Sequence, residues 1–360
     1  MSSPDVSVII PTLNEWPIVA ATCVSVVNEL WSCGYSCEVI VVDNGSEGDE
    51  WDYLNWHFHD WIRRGILRPY RWTNIRGTYA PRQFAAEKAK GEVLLFSDAH
   101  MLYFGRTMGY AVEDVQRYGG LWHVAISTWG DPKGRFMFCY KNNLRERFWG
   151  SLQITPPKQA IAEDGSLRPC KILMGPHACY LARRNEWLAV GGYGYLYRGY
   201  GGGESAVDVK YWLSGREVWL EPRATCSHCR GWWGQWVKVH RDKDLGKITW
   251  VRNRGFATQV RVGEEYLRLV RRYTWTSDDF MRNCMLSAYI CGGQKWFESI
   301  RDNFLKKMAT RYHANFDRIA SRIPEEAAED RKKVESFATM TLDELLESEP
   351  WESKLSVARG

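Results

Sequence analysis

The sequence predicts an α/β fold, a doubly wound, mostly parallel sheet followed by a helical, Trp-rich C-terminal extension. Three observations predict it. Short β-branched runs alternate with segments of helical apolar spacing across residues 1–127. The runs end in polar residues (Thr12 and Asn14, Asp43 and Asn44, Asp98 and His100), and in parallel sheets the ligand crevice lies at the carboxyl ends of the strands. Beyond residue 230 the composition turns basic and aromatic, then acidic.

Val6–Ile10 reads as a buried strand that stops at Pro11. A helix follows, with Asn14 placed to cap it, Pro17 in its first turn, and Ile18, Val19, Thr22, Cys23, Val26, Val27, Leu30 and Trp31 at helical spacing. Glu38–Val42 is a second strand, and strand–helix–strand is a right-handed parallel unit. A strand near Ile66–Trp72, a helix near Tyr79–Lys90, a strand at Val93–Phe96, a helix near Met108–Gln116 and a strand near Leu121–Ile126 continue the alternation.

Thr128 to Leu167 reads as an irregular insert or β-ribbon. Ile172–Leu181 reads as a strand, Arg183–Val190 as a short helix, Ser205–Leu213 as another, and Val218–Leu220 and Ala224–Ser227 as short strands. The Gly-rich stretch Gly194–Gly203 has the composition of a mobile lid.

The bulk composition sets bounds. A quarter of the 360 residues are charged and 45% are hydrophobic, which excludes a disordered chain. The net charge of +5 permits an acidic partner without requiring one. No apolar run is long enough to span a bilayer. "MSSPDVSVIIPTLNE" enters a strand with no basic region and no apolar leader, and the ten cysteines are then expected as reduced thiols in a cytoplasm. Cys226, His228 and Cys229 lack a fourth partner at zinc-site spacing, so a structural zinc is not expected.

"LLFSDAH" ends a buried strand in Asp98 and His100. Alternate residues on extended backbone project to one side, so the two could share a hard divalent cation. A strand-end Asp that caps the next turn beside a hydrogen-bonded His is the other reading of these residues alone.

"SVIIPTLNE", "VIVVDNGS" and "GEVLLFSDAH" occur in that order, and together they resemble the nucleotide-sugar half of a family 2 glycosyltransferase of the GT-A fold. The resemblance implies that Pro11, Thr12 and Glu15 hold the nucleobase, that Asp43 holds base or ribose, and that Asp98 holds the metal. Arg82 in "APRQFAAEKAKGE" matches the basic residue of the family's "ARN-G---A-GE" helix, with Gln83 in place of its Asn. Where the family has DxD, this chain has Asp98-Ala99-His100, a DxH similar to that of the polypeptide N-acetylgalactosaminyltransferases. Those enzymes take a third metal ligand from a downstream "GH-x-x-R". Here the segment is Ser227-His228-Cys229-Arg230, one residue shorter.

Gly202-Gly203-Glu204 with Trp212 and Gly215 resembles their "GGEN…W--GG", and Met174 to Tyr193 resembles their "GG-F-I-R--F---GGYD" segment. The resemblance spans residues 5 to 231. It implies a UDP-sugar donor, Mn2+ or Mg2+ held by Asp98, His100 and His228, and Arg230 at the diphosphate. Arg198 and Lys210 are further bases able to reach it.

Glu204, at a helix start after the Gly loop, is the candidate general base or sugar-holding acid, and Asp208 one turn on is the alternative base. The domains expected are 1–230 catalytic (1–127 nucleotide-sugar half, 128–230 acceptor half), 231–321 a basic aromatic extension, and 322–360 an acidic, peripheral helical tail. Bases interleaved with aromatics suit nucleic acid, so the expected acceptors are a hydroxymethylated base in DNA or a protein Ser/Thr hydroxyl. The rivals are a nucleotidyltransferase, which "PTLNEWP" does not favour, and a non-catalytic nucleic-acid binder on the same scaffold.

Overall fold

The computed structural model describes residues 3–46, 49–72, 77–128, 135–229, 237–241, 248–253, 259–260, 277–308, 310 and 313–352. In chain order the elements that build the site are β1 (Val6–Thr12), α1 (Ile18–Ser32), β2 (Cys37–Asp43), α2 (Glu50–His57), α3 (His59–Arg63), β3 (Leu67–Arg71), α4 (Tyr79–Lys88), β4 (Val93–Ser97), β5 (Met101–Tyr103), α5 (Met108–Tyr118) and β6 (Leu121–Thr128). After them come β7 (Phe136–Met137), β8 (Cys139–Lys141), α6 (Leu144–Arg147), β9 (Ser151–Gln153), β10 (Cys170–Lys171), β11 (Cys179–Arg183), α7 (Arg184–Val190), α8 (Glu204–Leu213) and β12 (Val218–His228). The main sheet runs β10-β12-β6-β11-β4-β1-β2-β3, with β5 on β12 and β7 on β6.

The first half is parallel as expected: β1 pairs β2 and β4, and β2 pairs β3. Antiparallel β11 then joins β4 to β6, and β6 runs parallel to β12. β1, β2 and β4 are buried along their whole length, which requires cover on both faces. Alternate residues divide accordingly. Ile9, Ile40, Val42, Leu94 and Phe96 face one core with α4, α7 and α8; Val8, Ile10, Val39, Val41 and Leu95 face the other with α1 and α5.

Several boundaries differ from the sequence reading. Asn14 does not cap α1; its φ is +54°, and Pro17 occupies the N-cap position. Residues 172–178 leave the expected strand between β10 and β11: Trp212 Nε1 donates to the carbonyls of Ile172 and Leu173 at 3.3 Å, and Pro176 has no N–H for a ladder. The two short strands after residue 217 are one strand, β12, whose register shifts between Glu221 and Thr225 at Pro222. The insert contains the β8–β9 ribbon.

After β12, a separate three-stranded sheet, β13 (Val237–Arg241), β14 (Ile248–Asn253) and β15 (Gln259–Val260), precedes the helices. Helix α9 (Ser277–Lys307), kinked at Gly293, is followed by α10 (His313–Ala320), α11 (Ile323–Glu326), α12 (Ala328–Phe337) and α13 (Leu342–Ser348). The acidic tail is helical but not peripheral. Ile323, Val334, Leu342, Leu345 and Trp351 are buried in the same core as α8 and α9, and a Thr341–Glu344 capping box starts α13. Among the described residues, no helix is long and apolar enough to cross a membrane.

Candidate active site

β4 delivers Asp98 to the carboxyl edge of the sheet. Phe96, two residues earlier, stacks on Tyr180 at 4.6 Å and packs on Trp187 at 4.3 Å, which fixes the strand end. The Asp98 N–H donates to the Ala178 carbonyl. Thr22 of α1 grips the following turn from below, donating to the Ala99 carbonyl at 2.8 Å and accepting from the Met101 N–H at 3.0 Å. The chain then forms β5, which pairs antiparallel with the end of β12 in the register Met101↔His228. That pairing carries His228 across 128 residues to His100.

The three side chains converge. The Nε2 atoms of His100 and His228 are 3.1 Å apart with the rings edge to face, and His228 Nε2 is 3.3 Å from Asp98 Oδ2. The candidate ligand atoms of Asp98, His100 and His228 all lie within 4.8 Å of one another. His100 Nδ1 is 2.6 Å from Glu15 Oε2. A carboxylate only accepts, so the proton sits on Nδ1 and the Nε2 lone pair points at the cluster, the arrangement of a metal-ligating histidine. Two imidazoles and a carboxylate suit Mn2+ better than Mg2+, which favours an all-oxygen shell.

Burial works against Asp98's charge, but the His228 hydrogen bond and the neighbouring Arg82 guanidinium hold its carboxyl well below the usual range. Arg82 is 1% exposed and pairs with Asp98 Oδ1, so it stands behind this carboxylate rather than in the crevice. Glu15 likewise supports a neighbour, His100. Pro11, Thr12 and Asp43 lie at adjacent strand ends, in the register Thr12↔Asp43. Asp43 Oδ1 accepts from the Ser46 N–H, Arg71 Nε is 3.4 Å from Oδ2, and Thr12 Oγ1 is buried with no hydrogen-bond partner among the described residues.

Glu204 opens α8 and is buried. Tyr79 donates to its Oε2 at 2.5 Å, and burial pushes its carboxyl up to about 7. Tyr79 was not legible as a partner; only the fold brings α4 against α8.

Asp208 does not share this role. It is fully buried, with Oδ1 2.8 Å from His123 Nε2 and Oδ2 2.9 Å from His177 Nε2. His177 Nδ1 meets the Tyr193 hydroxyl, which meets that of Tyr180. Gly175 lies against the His123 ring, where any Cβ would overlap it. With both oxygens taken and no solvent access, Asp208 cannot accept a proton from an acceptor. This second His–His–Asp cluster was missed because its members are 31 or more residues apart.

Lys210 is buried and donates to the Gly192 carbonyl at 2.9 Å, away from the crevice. Cys226 and Cys229 belong to no ligand cluster among the described residues, and burial pushes the Cys229 thiol up to about 11. Arg230 lies outside the described residues.

Residues 7–153 match the profile of glycosyl transferase family 2. No curated protein matches the sequence. Among solved structures, GalNAc-T7 with UDP, GalNAc and Mn2+ has a TM-score of 0.59 at 16% identity, over 91% of this chain and 58% of that one.

The fold is GT-A. The mannosyltransferase PcManGT from Pyrobaculum calidifontis, in complex with GDP-Man and Mn2+, has a TM-score of 0.46 at 17% identity over 97% of this chain and 80% of that one. The chain spans 58% of the length of the GalNAc-T7 chain.

Proposed function

We propose that this chain is a metal-dependent glycosyltransferase that moves a sugar from a UDP-sugar to a hydroxyl of a macromolecular acceptor, either a hydroxymethylated base in DNA or a protein Ser/Thr. The observation that carries the reading is the convergence of Asp98, His100 and His228 at the carboxyl edge of a GT-A sheet, with Glu15 orienting His100. GalNAc-T7, the similar structure above, was solved with UDP, GalNAc and Mn2+, which supports the same donor class and ion here. Residues 1–230 would carry the catalytic residues, with the helices of 277–352 packed into the same core.

In this reading Asp98, His100 and His228 would hold Mn2+. The ion, when bound, neutralises the charge developing on the departing diphosphate. Arg82 keeps Asp98 ionised and fixed. Pro11, Thr12 and Asp43 line the place for the nucleoside, and Arg230 would face the diphosphate. Glu204 takes the proton from the acceptor hydroxyl; an acid poised near neutrality is matched to that task. It works in its ionised form, so the rate should climb as pH rises through about 7.

A donor screen tests the reading: UDP-glucose, UDP-galactose and their N-acetylamino forms with Mn2+, reading UDP release. Activity should fall by ~10²–10⁴-fold in Glu204→Gln, with the limb near neutral pH lost. Turnover that ignores Glu204→Gln removes it as the base. Labelled sugar offered to hydroxymethylated DNA, plain DNA and Ser/Thr peptides then selects the acceptor.

A further inference from the structure

The Gly-rich loop before Glu204 carries the composition of a lid, yet the structure holds it fast. Helix α9 presents Phe280, Asn283, Cys284, Ser287 and Cys291 along one stripe at helical spacing. Asn283 acts as a clamp on the loop backbone. Its Oδ1 accepts from the Arg198 N–H at 3.1 Å, and its Nδ2 donates to the carbonyls of Arg198 at 2.6 Å and Gly201 at 2.9 Å. Ser287 Oγ donates to the Gly202 carbonyl at 2.5 Å and meets the Tyr197 hydroxyl at 3.1 Å. Arg282 adds a bond to the Leu196 carbonyl at 2.8 Å.

Asn283 and Ser287 are both fully buried. Gly202 has a φ of +82°, and a Cβ there would lie 2.8 Å from the Cys284 nitrogen, so the loop and helix meet at backbone distance. From Gly202 the chain passes through Gly203, whose N–H donates to the Tyr79 hydroxyl, directly into Glu204.

We propose that α9 is a built-in strap of the active site, in which Asn283 and Ser287 are positioning residues that set where Glu204 stands. Neither residue touches the metal cluster. Their polar atoms are spent on the backbone of 198–202, the segment that fixes the start of α8 and hence the Glu204 carboxylate. An otherwise apolar helical stripe interrupted by a buried Asn and Ser is the sequence trace of such a strap, because buried amide and hydroxyl groups require partners. The loop therefore does not open over the donor. The C-terminal helices pack into the same core as α8 instead of hanging from it. This rests on the reading of Glu204 as the base.

The test compares the full-length chain with Asn283→Ala, Ser287→Ala and Ser287→Thr in Mn2+-dependent UDP release from the UDP-sugar panel above, alongside calorimetric binding of UDP with Mn2+. Misplacing a reacting group by about 1 Å costs ~10²-fold in rate. Asn283→Ala and Ser287→Ala should lower kcat toward that factor while the Kd for UDP–Mn2+ stays within about twofold. Amide hydrogen exchange should rise at residues 198–204, and Ser287→Thr, which keeps the hydroxyl, should recover most of the rate. If Asn283→Ala does not fold, Ser287→Ala carries the comparison. Folded variants with wild-type kcat, or with UDP–Mn2+ binding lost in parallel with rate, overturn the strap. A wild-type chain that releases no UDP from any donor overturns the glycosyltransferase reading itself, a separate outcome.

Discussion

Two clusters of two histidines and one aspartate lie on this sheet, one formed by Asp98, His100 and His228 and the other by His123, His177 and Asp208. The first stands at the carboxyl edge, where the Asp98 side chain is 21% exposed, and Glu15 from outside the cluster fixes the proton of His100. Its two Nε2 atoms and Asp98 Oδ2 face a shared point. The second is sealed. Asp208 takes both histidines through its own two oxygens, Tyr193 takes His177, and the Asp208 side chain is 0% exposed. Ligand type and count are equal in the two. What separates a candidate ion site from a structural pin is where the remaining hydrogen-bonding capacity goes, and whether solvent can reach it.

That contrast can be broken or sharpened by experiment. The largest effect belongs to the edge cluster: Asp98→Ala together with His228→Ala should lower Mn2+-dependent UDP release by ~10³-fold or more and abolish the Mn2+ heat of the folded fraction in calorimetry, with a lowered melting temperature because buried Arg82 loses its carboxylate partner. An unchanged Mn2+ heat would break the comparison outright.

Next comes the sealed cluster. Asp208→Ala strands two buried histidines and should cost about 3–5 kcal/mol in urea unfolding, while the Mn2+ stoichiometry of the folded fraction stays the same. A fall in stoichiometry would make the second cluster an ion site too.

Glu15→Ala should weaken Mn2+ binding by ~10–100-fold with a minor change in stability, because it removes only the partner that orients His100.

The smallest expected effect is a pH dependence. Burial lowers the pKa of His177 from its ordinary 6.5. The unfolded chain therefore binds the extra proton first, and stability falls as pH drops below about 6.5. His177→Gln should flatten that decline between pH 7 and pH 5 in urea unfolding.

The strands were legible because a strand buried on both faces writes itself as a continuous run of branched residues. VSVIIPT, CEVIVVD and VLLFS are such runs, and each is buried throughout. Asp98, His100 and Glu204 stood out as candidates for a related reason: each is polar at the end or start of an element. Asp208 misled because helical spacing puts it one turn from Glu204 without revealing what packs against that turn. Glycine content reports conformational freedom in the isolated segment, and only the fold shows that Asn283, some eighty residues away, bonds the loop backbone.

The sequence by itself determined the alternating elements, the polar carboxyl edge and the acid–histidine pair after β4, because each depends on neighbours within a turn or a strand. The tertiary structure decided which distant groups meet. The Met101↔His228 register brings the third candidate ligand, the approach of His123 and His177 seals Asp208, and the seating of α9 fixes the loop that carries Glu204. These are long-range pairings, selected by the packing of whole faces; of them only His228 was signalled in the sequence, by the resemblance of Ser227-His228-Cys229-Arg230 to a family segment.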